Sequence, residues 1–219
     1  MSHEQQNHLL SPAARGTHVV FRRGAGPVLD RFAIGTHRGD GVAQDGVAQL
    51  CDALDAAFEA CGAAADPSHC PAFVLGVRAA IAEAAANETL LAPAQCEGSS
   101  ECYRRHLLAA DASGRYAVVA LVWHPGQASP VHGHHAWCGY AVLSGTLTET
   151  LYQWDESLGS AKPVRTHARA PGAVSYTRAG LGGIHRLGNA GPARAISLHV
   201  YGVAGDEVST RVNDVVRVL

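Results

Sequence analysis

The chain has 219 residues, with 17 Lys and Arg against 19 Asp and Glu and a formal net charge of -2. That length suits one core-bearing domain with an appendage, and a near-neutral chain carries no field that would gather nucleic acid or an anionic membrane. No run of about eighteen apolar residues occurs, so no membrane-spanning helix is expected. The polar start, Met1 to His8, lacks the basic and apolar regions of an export signal, so a cytoplasmic location is expected.

In chain order, the first forty residues are mixed, with glycine-rich turns around 24–27 and 35–41. Val47, Leu50, Leu54 and Phe58 then recur at helical spacing, which predicts a helix over 42–61. A second helix is predicted after Asp66-Pro67, on Phe73, Val74, Val77, Ile81 and Ala85, with Asn87 as its stop. An N-terminal arm and helical layer, residues 1–92, is therefore expected to pack on a β-region, residues 93–219, as one structural domain. Strands rich in Val, Leu and Tyr are predicted at 116–123, 139–143, 147–154, 173–177 and 195–203, separated by Gly and Pro punctuation. Residues 208–219 read as a final strand or packed tail. Short strands without intervening helices imply a mainly β fold, a closed or sandwiched antiparallel sheet.

Six cysteines (Cys51, Cys61, Cys70, Cys96, Cys102, Cys138) without an export signal are expected to stay reduced. The absence of any C-x-x-C pair argues against a structural zinc knuckle. Thirteen histidines are the unusual count. In S-P-V-H-G-H-H-A-W-C, His132 and His134 are two apart, so on an extended strand both point to one face. His185, in L-G-G-I-H-R-L, follows a glycine run at another strand edge. Three imidazoles converging on one divalent ion leave positions open for a substrate and oxygen. His135 should face away from His134, and His124 lies on the wrong side of a turn; both are set aside.

These segments resemble the cupin superfamily. Gly126, His132, His134 and Gly145 match its first motif, and Pro171-Gly172, His185 and Asn189 match its second. The glutamate ligand usual in cupins is missing; counting back from Gly145, Cys138 stands in its place. That departure resembles one branch, the cysteine dioxygenase family of thiol dioxygenases, over residues 103 to 201. Y-R-R-H-L from Tyr103, the H-G-H loop with the S-G-T-L-T-E-T-L-Y hairpin, G-I-H-R-L, and S-L-H-V-Y occur in the family's order.

The resemblance implies a cupin (jelly-roll) β-barrel and an iron(II) site formed by His132, His134 and His185. It implies substrate binding by Arg105 and Tyr103, and a catalytic relay of Ser197, His199 and Tyr201. It implies O2 and a small thiol as substrates, with cysteine oxidised to its sulfinic acid. A thioether between Cys138 and Tyr201, as in the family's animal members, is implied if Gly145 anchors the alignment; counting from His134 instead puts Gly139 there. Arg105 favours cysteine over 3-mercaptopropionate, although Arg104 or Arg211 are alternative carboxylate partners. A non-catalytic metal-binding cupin sensor is the reading of another class. A monomer or small homo-oligomer is expected.

Overall fold

Ala43, Val47, Leu50, Leu54 and Ala57 lie on one buried face of helix α1 (Gly41–Ala60), and Phe73, Val77, Ala80, Ile81 and Ala84 on one face of α2 (Pro71–Ala86). Pro71 opens α2 at a position where its missing N–H costs nothing, and Asn87 ends it. A short 3₁₀ turn, Pro67–His69, joins the helices, its Ser68 N–H capped by the Asp66 carboxylate at 2.9 Å. The computed structural model describes residues 41–62, 64 and 66–219. It also gives the backbone of three short strands before them, β1 (Val20–Phe21), β2 (Pro27–Val28) and β3 (Ala33–Gly35). The turns expected at 24–27 and 35–41, and the polar start, fall for the most part outside the described residues.

Ten further strands follow: β4 (Arg104–Ala110), β5 (Ala117–Trp123), β6 (His132–His134), β7 (Cys138–Ser144), β8 (Leu147–Asp155), β9 (Ser160–Arg169), β10 (Val174–Thr177), β11 (Gly180–Gly188), β12 (Ala195–Tyr201) and β13 (Asn213–Val215). They form a six-stranded sheet, β10-β7-β12-β5-β4-β3, and a five-stranded sheet, β13-β6-β11-β8-β9. All pairings are antiparallel except β3 with β4. The sheets face each other through Val119, Leu121, Tyr140 and Val142 on one side and Leu147 and Leu187 on the other.

The six-stranded sheet is covered on both faces, and this explains its sequence. Every residue of β5 and β12 is buried. Val118, Ala141, Leu198 and Val200 meet the helices, while their alternating neighbours meet the second sheet. Such strands read as continuous apolar runs. Phe58, Phe73 and Trp137 interlock where the helices rest on the barrel, with ring centroids 4.8 to 6.3 Å apart. Arg115 ties the same seam electrostatically, binding Asp111 at 2.7 Å and Asp55 of α1 at 2.6 Å.

Three strands escaped the pattern of apolar residues. β9 is a sheet edge, largely exposed, and its Pro163 sits at a register shift, the placement that proline tolerates. β11 begins in a glycine-rich, exposed stretch, so His185 lies within a strand and not at its edge. β4 carries Arg104, Arg105 and His106, polar residues whose burial depends on the barrel around them. The tail contains both a 3₁₀ turn, Gly205–Ser209, and the expected last strand, β13.

Candidate metal centre and its cavity

β6 is the short strand that sets the site. It pairs with β11 on one side, with His132 opposite His185, and with β13 on the other, with His134 opposite Asn213. Gly133 separates the two histidines because a Cβ there would come within 2.8 Å of the Gly180 carbonyl. Gly145, at φ +71° between β7 and β8, turns the chain where a side chain would strike Arg194 and Ala195.

His132, His134 and His185 converge, each offering a donor atom, with all three within 4.8 Å of one another. Their ring centroids are 4.7 to 5.2 Å apart. His132 Nδ1 is engaged by the Pro130 carbonyl at 3.0 Å and His185 Nδ1 by Glu149 at 2.7 Å, which leaves Nε2 of each for a ligand. Burial, with the neighbouring imidazoles, holds His132 and His134 well below the usual histidine range, so their lone pairs are available at neutral pH. A buried set of imidazole donors suits a divalent transition metal, and iron(II) fits that donor chemistry.

The same cavity is lined by Tyr103, Arg105, Cys138, His199 and Tyr201. Arg105 is only 1% exposed. It donates to the Val208 carbonyl at 3.0 Å and to the Tyr103 hydroxyl at 3.0 Å, which fixes its guanidinium plane. Tyr103 is in turn stacked on Trp123, centroids 4.4 Å apart. Arg104 is partly buried on the opposite side of β4, and Arg211 is exposed and paired with Glu207 at 2.6 Å. Arg105 is therefore the arginine that reaches the histidines' cavity.

Ser197, His199 and Tyr201 share a face of β12 and form a continuous chain. Ser197 Oγ is 2.9 Å from His199 Nε2, and His199 Nδ1 is 3.2 Å from the Tyr201 hydroxyl. The sequence reading missed the chain's origin, Trp123, whose indole N–H donates to Ser197 Oγ at 2.9 Å. An indole can only donate, so Ser197 Oγ accepts from Trp123. Burial holds His199 well below the usual histidine range, so the imidazole between Ser197 and Tyr201 is neutral, with one ring nitrogen donating and the other accepting.

A second omission is Glu149, buried in β8. It bonds His185 and lies 3.2 Å from His167 Nε2 and 3.7 Å from Arg169 Nε. A glutamate inside T-L-T-E-T-L-Y was the available signal. Burial opposes its ionisation, but the hydrogen bond from His185 and the charge of Arg169 hold its carboxyl below the usual range. Tyr140 stacks on His199 at 5.2 Å. Cys138 is buried in the cavity, where burial pushes its thiol up. The two histidines set aside lie elsewhere: His135 is exposed beside Asp214 at 3.8 Å, and the His124 ring covers Gly98.

Two facing antiparallel sheets with helices on one outer face and histidines gathered between them make this a cupin barrel. The chain belongs to the cysteine dioxygenase type I family, whose model matches residues 96–209, more than half of its length. Cysteine dioxygenase type 1 of Danio rerio is 33% identical over 103 residues, which are 45% of this chain and 50% of that protein. The aligned region thus spans about half the length of that curated relative. Among solved structures, a protein of Thermus thermophilus aligns with a TM-score of 0.39 and 21% identity, covering 49% of this chain and 89% of that one. A cupin superfamily protein of Desulfitobacterium hafniense aligns with a TM-score of 0.37 and 18% identity, covering 49% and 83%. All six cysteines are free thiols. No helix among the described residues is long and apolar enough to cross a membrane.

Proposed function

We propose that the chain is a thiol dioxygenase that adds both atoms of O2 to the sulfur of a small thiol, cysteine foremost, giving its sulfinic acid. The observation that carries this reading is the presence in one buried cavity of the histidine trio, the Arg105 guanidinium and the end of the Tyr201 relay. Iron(II), held by His132, His134 and His185, would supply binding positions for thiolate and O2 and a path for electrons from sulfur to oxygen. Both oxygen atoms end on sulfur, so no external reductant is consumed.

The chain's own residues then account for selectivity. Arg105 would clamp the substrate carboxylate: its guanidinium lines the cavity, held by Val208 and Tyr103, and its planar fork matches a carboxylate. Holding the carboxylate there fixes where the sulfur lies, and orientation of that kind is a large part of catalytic advantage. Tyr201, oriented by His199, would present its hydroxyl hydrogen to the reacting groups and return to the same state after turnover. Free thiols are compatible with action in the cytoplasm.

The test is oxygen uptake by iron(II)-loaded protein offered cysteine, 3-mercaptopropionate, mercaptosuccinate or cysteamine, with the sulfinate identified by mass spectrometry. Uptake is expected with cysteine best, and alanine at His132, His134 or His185 should remove both iron and uptake. Uptake with 3-mercaptopropionate alone reassigns the substrate, and none with any thiol at full iron occupancy favours a metal-binding sensor.

A further inference from the structure

Among the described residues, Glu149 is the carboxylate that hydrogen-bonds the histidine trio, and it reaches across both neighbouring strands to do so. On β8 it stands opposite Leu187 of β11 and opposite His167 of β9. One carboxylate oxygen binds His185 Nδ1 at 2.7 Å, and the other lies against His167 at 3.2 Å and Arg169 at 3.7 Å. The Glu149 side chain is only 5% exposed. A buried carboxylate is retained only where partners offset its desolvation, and here they come from both flanking strands.

We infer that Glu149 is the positioning residue of the metal centre: it holds His185 in the Nδ1–H tautomer, turns Nε2 toward the ion and strengthens it as a donor. His167 and Arg169, on the edge strand β9, hold the carboxylate in that pose. The barrel thereby keeps a carboxylate one hydrogen bond beyond its histidines. There it tunes the centre without occupying a position that substrate or oxygen needs. This rests on the three-histidine metal reading proposed above. Carboxylate partners of metal-bound imidazoles act in this way generally, through ring orientation and basicity.

Iron(II) affinity, measured by competition with a chelator and without any substrate, tests the inference. Glu149→Leu is expected to bind about 10- to 100-fold more weakly than the natural chain. Glu149→Gln, whose amide oxygen still accepts from His185, is expected to recover most of that loss. Cobalt(II) loaded in place of iron should give a visible spectrum altered in Glu149→Leu and nearly natural in Glu149→Gln. Should Glu149→Leu fail to fold, Glu149→Asp keeps the charge near His167 and Arg169 while withdrawing it from His185, and is expected to weaken binding comparably. Natural affinity and spectrum in the folded variants would overturn the role of Glu149 and leave the histidine centre standing. A natural chain that binds neither metal would overturn the centre itself.

Discussion

Cys138 stands directly opposite Tyr201 across the antiparallel pair of β7 and β12, and both side chains line the metal cavity. Gly139 is opposite Val200, whose side chain meets the helices instead. The register therefore favours Cys138 over Gly139 as the residue within reach of the tyrosine. We propose that a thioether forms between them, the thiol and the ring each losing a hydrogen to O2 as oxidant. Intact-mass analysis after iron(II), O2 and thiol exposure should show a chain lighter by two hydrogens, and Cys138→Ser should not. An unchanged mass in the natural chain would leave Cys138 an ordinary buried thiol.

Arg105→Gln should retain iron but lose cysteine turnover. A charge-assisted contact is worth about 1.5–3 kcal/mol, hence roughly 10- to 150-fold in kcat/KM. Arg211→Gln should change turnover little, because Arg211 is exposed and already paired with Glu207. Steady-state oxygen uptake with both variants decides; equal losses would mean that the carboxylate clamp is not Arg105 alone.

Trp123→Phe keeps an aromatic ring against Tyr103 but removes the only-donating group that orders the relay. Losing one neutral hydrogen bond of about 1 kcal/mol predicts a kcat lowered roughly fivefold with KM kept. A changed KM with unchanged kcat would assign Trp123 to shaping the cavity wall and not to the relay.

Asp111 gives a pH dependence. The bidentate hydrogen bonds from Arg115 hold its carboxyl down to about 2, against an ordinary value of 3.8. A depressed folded-state pKa adds stability that is full above the ordinary value and disappears as pH falls through about 2. Asp111→Asn should therefore cost about 2 kcal/mol in urea unfolding at neutral pH, a difference that shrinks between about pH 4 and about pH 2. Because Arg115 also grips Asp55 of α1, we propose that residues up to 92 and the barrel form one structural domain. A single unfolding transition in far-UV and near-UV signals is expected; separate transitions would divide them.

Helices α1 and α2 were legible because each has a single apolar stripe facing one sheet, and helical spacing records that face directly. β5, β7 and β12 were legible as runs of Val, Ala and Leu, since burial on both sides leaves few polar residues. β9 and β11 were not, because a solvent-facing or glycine-rich strand carries little hydrophobic pattern. Their identity as strands comes from the ladders they complete.

The site divides along the same line. His132 and His134 needed only the two-residue period of a strand, and Ser197, His199 and Tyr201 needed the same rule on β12. Local spacing therefore determined which side chains share a face, and the H-G-H, Y-R-R-H-L and S-L-H-V-Y segments determined the family they resemble. Local spacing has no bearing on which distant faces meet. Arg105 and not Arg211 enters the cavity, Cys138 faces Tyr201, Trp123 donates to Ser197, and Glu149 holds His185. The hydrogen bonds that fix Arg105, Trp123 and Glu149 in these places join residues 36 to 103 positions apart. Only tertiary structure decides these, because register and burial, set by the closing of two sheets around one core, bring such groups within hydrogen-bonding distance.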